Sequence, residues 1–148
     1  MYDNWTVNAV VVAITAAAVA GTVALHYGGL EWMSRKLLHI RHHRRSVLYA
    51  IFGALALHIA EIWLFGFGYW LLQAVPEAGV IQGMAKDLLL DCVYFSATVY
   101  STVGFGDLSP VGPIRFVAGT ESLTGFVMIG WTASFTYLEM ERRWRSRS

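Results

Sequence analysis

Thr102-Val103-Gly104-Phe105-Gly106-Asp107 carries two glycines that alternate with Val103 and Phe105. Glycine adopts backbone angles that a Cβ disfavours, so this alternation lets successive carbonyls turn toward one side of an extended strand. Such a strand presents a ladder of oxygens, and the Thr102 hydroxyl adds one more at its start. The motif by itself is a weak signal, common in turns. Its neighbours give it weight.

Immediately before it, residues 87–101 form an apolar, aromatic stretch of about four helical turns, too short to cross a bilayer core that needs about 20 residues. On either side lie apolar runs that are long enough, at about 46–75 and 114–138, and a further one occupies about 5–27. A short apolar segment between two spans reads as a re-entrant element, which enters the membrane and leaves on the same side. Residues 76–86, with Pro76 and two glycines, read as a loop. The chain is 148 residues, 56% hydrophobic and 14% charged, which excludes an ordinary soluble domain. The single Cys92 excludes an internal disulfide and a multi-cysteine metal site.

Charge sets the expected orientation. Arg35, Lys36, Arg41, Arg44 and Arg45 follow the first run, and Arg142, Arg143, Arg145 and Arg147 follow the last, so nine of the eleven Lys and Arg fall on one face. That face is expected to be cytoplasmic, with the amino terminus and the re-entrant loop outside. A cleaved signal peptide is the competing reading of residues 1–28, since Ala18-Val19-Ala20 suits a cleavage site. The acidic start argues against it, and cleavage would leave Arg41 to Arg45 outside. A retained helix is the reading adopted here.

The short helix, the TVGFGD segment and the two flanking spans together resemble the pore domain of potassium channels, over roughly residues 46–138. The resemblance implies an all-α integral membrane subunit with three transmembrane helices, a re-entrant pore helix and a selectivity filter. Residues 1–28 are then an extra N-terminal helix, 29–45 a basic linker, 46–75 an outer helix, 87–101 a pore helix, 102–107 the filter, 114–138 an inner helix and 139–148 a basic tail. It also implies a homotetramer around a central pore, in which carbonyls of Thr102, Val103, Gly104 and Phe105 and the Thr102 hydroxyl bind dehydrated K⁺, with Gly106 completing the strand. No other cofactor is implied. The location implied is the plasma membrane, and the lipid bilayer is itself a partner.

Departures from the family pattern are informative. The family usually has Tyr at the position of Phe105, and the usual partners of that tyrosine fall here on Phe95 and Val99, so donor and partners are missing together. Tyr94 and Thr98 stand where side chains often support the residue at Asp107 from behind. Gly125 falls at the usual hinge of the inner helix, although close helix packing explains a glycine equally well. Phe126, Ile129 and Ala133 would line the inner cavity on the same alignment. The carboxyl end of the pore helix would point its negative dipole toward the ion, with Asp87 and Asp91 near the opposite end.

Three ionisable residues, His58, Glu61 and Glu121, fall inside expected spans, where a charge faces protein or water rather than lipid. His58 and Glu61 share a helical face and are read as a structural pair, with a sensing role as the alternative. Glu121 is expected to face inward and to bond Thr98, another pore-helix hydroxyl or His58, bracing the filter. The linker mixes Leu30, Met33, Leu37, Leu38 and Ile40 with its charges, a spacing suited to a helix at the membrane surface and to contact with anionic lipid. His39, His42 and His43 resemble one box of a di-iron membrane enzyme, but only His26 and His58 remain to supply further ligands, so that reading fails by count. No span repeats Arg or Lys every third residue, which argues against a voltage sensor. A weakly selective cation channel and a non-conducting sensor subunit are the alternatives to a potassium channel; a non-conducting protein has no physical need for the alternating glycines.

Overall fold

The computed structural model describes residues 4–38, 40, 43–84 and 89–145. Its elements, in chain order, are α1 (Trp5–Leu37), α2 (His43–Gln73), β1 (Val80–Gln82), α3 (Leu89–Tyr100), β2 (Ser109–Val111) and α4 (Arg115–Arg145). Helix α3 packs between α2 and α4, and α1 lies along both of the long helices.

Asn4 caps α1, its side chain accepting from the Val7 amide at 3.4 Å. The helix then runs unbroken for 33 residues, about 50 Å. Val7, Val11, Thr15, Ala18, Thr22, His26, Leu30, Met33 and Leu37 are its buried positions, spaced by three or four residues into one stripe. The linker expected to begin at residue 29 is therefore partly a continuation of α1. Leu30, Met33 and Leu37 complete the stripe and are buried against the other helices, while Leu38 of the same apolar set is exposed. His39, Arg41 and His42 lie outside the described residues, as does Asp87 at the expected start of the pore helix.

Helices α1 and α2 are long and apolar enough to cross a membrane, with mean hydropathies of 2.1 and 1.9 over their most apolar windows. Much of their surface is apolar and uncovered by the rest of the chain, including Ile51, Phe52, Leu55 and Ile59 on α2. Helix α4 is less apolar, because Thr120, Glu121, Ser122 and Thr124 fall within it, and it continues through the expected basic tail to Arg145. Close backbone approach, rather than apolar burial, holds helices together in lipid. Gly66 on α2 illustrates this: a Cβ there would lie 2.8 Å from the Cα of Val93 on α3.

The chain is mostly helical, but the expectation of an all-α fold and of a plain loop at 76–86 is corrected by a two-stranded sheet. β1 pairs antiparallel with β2 in the register Val80↔Val111, Ile81↔Pro110, Gln82↔Ser109. Pro110 is tolerated because a two-stranded ribbon consists only of edges. The ribbon clasps the stretch entering α3 to the stretch leaving TVGFGD.

Candidate functional site

Helix α3 spans 12 residues and ends at Tyr100, with Ser101 alone between it and the TVGFGD segment. Its last turn is joined to the segment by main-chain bonds, from the Thr102 amide to the Val99 carbonyl at 2.9 Å and from the Gly104 amide to the Thr98 carbonyl at 3.0 Å. Thr102, Gly104 and Gly106 have positive φ, at 60°, 52° and 82°, while Val103 and Phe105 between them do not. This alternation of handedness is the backbone that glycine permits. All six residues from Thr102 to Asp107 are exposed in the single chain, Phe105 at 71%. The negative end of the α3 dipole lies at the same place. Carbonyl oxygens and a helix carboxyl end together suit a hard cation, not an anion or a thiophilic metal.

Behind the segment, the Tyr94 hydroxyl donates to Asp107 Oδ2 at 2.8 Å. The hydroxyl of Thr98 turns back to the carbonyl of Phe95 at 2.8 Å, so Thr98 meets the segment only through its own carbonyl. Its side chain supports neither Asp107 nor Glu121. Phe95 is buried and sets its ring edge-on to Tyr69, with centroids 5.0 Å apart. Val99 is partly buried against the same core.

Glu121 is fully buried on α4. Its carboxylate accepts from Ser96 Oγ of α3 at 2.5 Å and from the Tyr69 hydroxyl of α2 at 2.5 Å. Of the expected partners it reaches a hydroxyl of α3, that of Ser96, and His58 is engaged elsewhere. Ser96 also lies 2.8 Å from the carbonyl of Ile62, so one small side chain ties α3 to both neighbours.

His58 and Glu61 meet at 3.1 Å, but they are not an isolated pair. His26 of α1 approaches the other oxygen of Glu61 at 2.8 Å, and the Tyr100 hydroxyl donates to Glu61 and lies 3.0 Å from His58. Sequence reasoning missed Tyr69, Ser96 and His26 as members of these clusters. The available signal for His26 was its place in the stripe of Thr15, Ala18 and Thr22, whose polar and small members point to a helix face turned toward protein.

Gly125 lies against the end of α3, where a Cβ would come within 2.1 Å of the Tyr100 carbonyl. Close packing is thus sufficient reason for a glycine there, and α4 continues through it without a break. Phe126, Ile129 and Ala133 are exposed on one face of α4, at a spacing of three and four residues.

Comparison with known proteins agrees with this arrangement. A family profile described as "Ion channel" matches residues 46–140. Protein LctB of Geobacillus stearothermophilus is 31% identical over 103 residues, covering 66% of this chain and 72% of that protein. Protein LctB of Bacillus caldotenax is 34% identical over 56 residues, or 38% of this chain and 42% of that protein. No solved structure matches. The matched region takes in most of α2, all of α3 and TVGFGD and most of α4, and the chain belongs to the ion channel family of two-transmembrane pore domains.

Proposed function

We propose that the chain is the subunit of a homotetrameric, potassium-selective channel, with TVGFGD as its filter. The observation that carries this reading is the alternating backbone of Thr102, Gly104 and Gly106 at the carboxyl end of α3. Four such strands around an axis surround a dehydrated cation with the carbonyls of Thr102, Val103, Gly104 and Phe105, in place of its water shell. Thr102 adds its hydroxyl at the inner end. Four α3 dipoles direct their negative ends at the ion queue. Exposure of Val103, Phe105, Phe126 and Ile129 in one chain supports assembly, because subunits around an axis would cover or wet these faces.

In this reading α4 is a third span and lines the inner cavity with Phe126, Ile129 and Ala133. Its polar side chains on that face and its buried Glu121 are compatible with a helix that meets water and protein rather than lipid alone. Tyr94, through Asp107, and Glu121, through Ser96, support the filter from behind. The amino terminus and the ribbon are outside the plasma membrane, and the carboxyl ends of α1 and α4 are cytoplasmic, near anionic lipid.

The test is ion flux into liposomes holding the purified protein. Potassium uptake should exceed sodium uptake, and Gly104→Ala and Gly106→Ala should abolish it while leaving the oligomer assembled. No atom lies within 4 Å of a Cβ built at either glycine, so the substitutions oppose the backbone angle without crowding the chain. Wild-type flux in both variants would refute the filter assignment.

A further inference from the structure

Outside the conduction pathway, the structure brings together two imidazoles and a carboxylate that the channel activity does not use. His26 of α1 and Glu61 of α2 are fully buried, and His58 of α2 is largely so. The ligand atoms of the three lie within 4.8 Å of one another. Nδ1 of His26 is 2.8 Å from one oxygen of Glu61, and Nδ1 of His58 is 3.1 Å from the other. The Tyr100 hydroxyl of α3 closes the group from a fourth side, 3.0 Å from His58 Nδ1. From α4, Thr132 Oγ1 stands 3.3 Å from Nε2 of His26.

We propose that His26, His58 and Glu61 form a binding site for a zinc-class divalent transition metal, which clamps α1 to the pore domain. Two imidazole nitrogens and one carboxylate oxygen are a common donor set for such metals, whereas Mg²⁺ and Ca²⁺ prefer all-oxygen shells. Zinc bound at about 2.0–2.2 Å from each donor sets tetrahedral donors about 3.3–3.5 Å apart. The two imidazoles approach different oxygens of Glu61, at 2.8 and 3.1 Å, so seating the ion requires the carboxylate to turn one oxygen between them, within a group whose ligand atoms already lie within 4.8 Å of one another. Thr132 stands where an outer partner of a metal-bound histidine is expected, receiving the N–H of the nitrogen that faces away from the metal. The Tyr100 hydroxyl or a water takes the fourth position. Binding displaces any proton shared between Glu61 and the imidazoles, so uptake releases protons. The proposal concerns α1 as much as the pore, since His26 is the only donor of the three that lies outside the ion channel match. It holds whatever ion the pore conducts.

The linker histidines His39, His42 and His43 would also take up zinc, so the experiment uses the full chain with all three changed to Ala. Zinc is titrated into this purified protein against a chromophoric chelator, and cobalt(II) is added to a second sample for its ligand-field spectrum. The expected result is about one zinc per chain and an intense four-coordinate cobalt spectrum that zinc abolishes. His26→Ala and His58→Ala should each weaken zinc binding by at least about tenfold. Glu61→Gln should weaken it while keeping the shape of the cluster. Zinc uptake equal to that of the His26→Ala/His58→Ala double variant, or only the weak six-coordinate spectrum of solvated cobalt in the unsubstituted cluster, overturns the proposal. The cobalt spectrum decides even where a variant fails to fold.

Discussion

Ser96 Oγ lies 2.5 Å from Glu121 Oε1, a contact that joins α3 to α4 behind the TVGFGD segment. Both residues are fully buried, and Tyr69 supplies the second hydroxyl to the same carboxylate. Three helices therefore converge on one acidic group. Replacing it by an apolar residue leaves the hydroxyl of Tyr69 without its mate, while Ser96 keeps the Ile62 carbonyl.

Glu121→Leu should accordingly lower oligomer stability, by about 1–3 kcal/mol for each buried group left unpaired. Glu121→Gln keeps the shape and much of the bonding and should cost less. Ser96→Ala and Glu121→Leu together should cost less than the sum of the two alone, because they remove one shared contact. Thermal melting of the four proteins measures this; additive losses would mean that the two side chains do not act on each other.

Gly125 and its neighbours on α4 separate packing from helix flexibility. A Cβ at Gly125 meets the Tyr100 carbonyl at 2.1 Å, whereas one at Gly119 or Gly130 meets nothing within 4 Å. Gly125→Ala should destabilise the α3–α4 contact by about 1–3 kcal/mol, the usual cost of overpacking. Gly119→Ala and Gly130→Ala should leave melting of the subunit itself unchanged unless assembly brings neighbours to them. Equal melting for all three variants would contradict the close approach.

The Tyr94–Asp107 bond gives a signature in pH. The hydrogen bond to Asp107, with desolvation and the nearby charge adding to it, raises Tyr94 above the ordinary tyrosine value of 10.0. A raised tyrosine holds its proton more tightly when folded, so its contribution is complete below the ordinary value and fades as pH rises through the higher folded one. Wild-type current should therefore decay at a constant rate from neutral pH to about 10 and faster above it. Tyr94→Phe should decay fast throughout and lose that alkaline step. An unchanged step in the Phe variant would assign it to another group.

Membrane orientation is tested by thiol labelling on a Cys92→Ser background. Trp5 and Lys36 are both exposed at opposite ends of α1. An impermeant reagent on intact cells should label the Trp5→Cys protein and spare the Lys36→Cys protein, as the distribution of basic residues requires. The reverse pattern would invert the topology.

Hydropathy and charge made the framework legible, because a span announces itself by length and apolarity alone. The TVGFGD segment was legible because two of its three positive-φ positions, Gly104 and Gly106, are glycines, and only Thr102 takes that conformation with a side chain. Less visible was everything that depends on which residues of different helices meet. Glu121 read as an inward carboxylate, but Ser96 and Tyr69 are ordinary residues until α2 and α3 are packed beside α4. His26 likewise became a member of the His58–Glu61 cluster only once α1 was placed against α2. The strand at 80–82 escaped notice because three residues between glycines carry no periodicity, and its partner lies beyond α3 and the TVGFGD segment. Helix ends were not legible for a related reason: α1 and α4 continue past the apolar runs that mark them in the sequence.

Selection of potassium by TVGFGD is read from the reversal potential of the purified channel in a planar bilayer, with potassium on one side and sodium on the other. A potassium-selective filter gives a reversal potential set by potassium, far from zero, and no current in Gly104→Ala. A reversal potential near zero would show a pore that does not distinguish the two ions, and would contradict that selectivity.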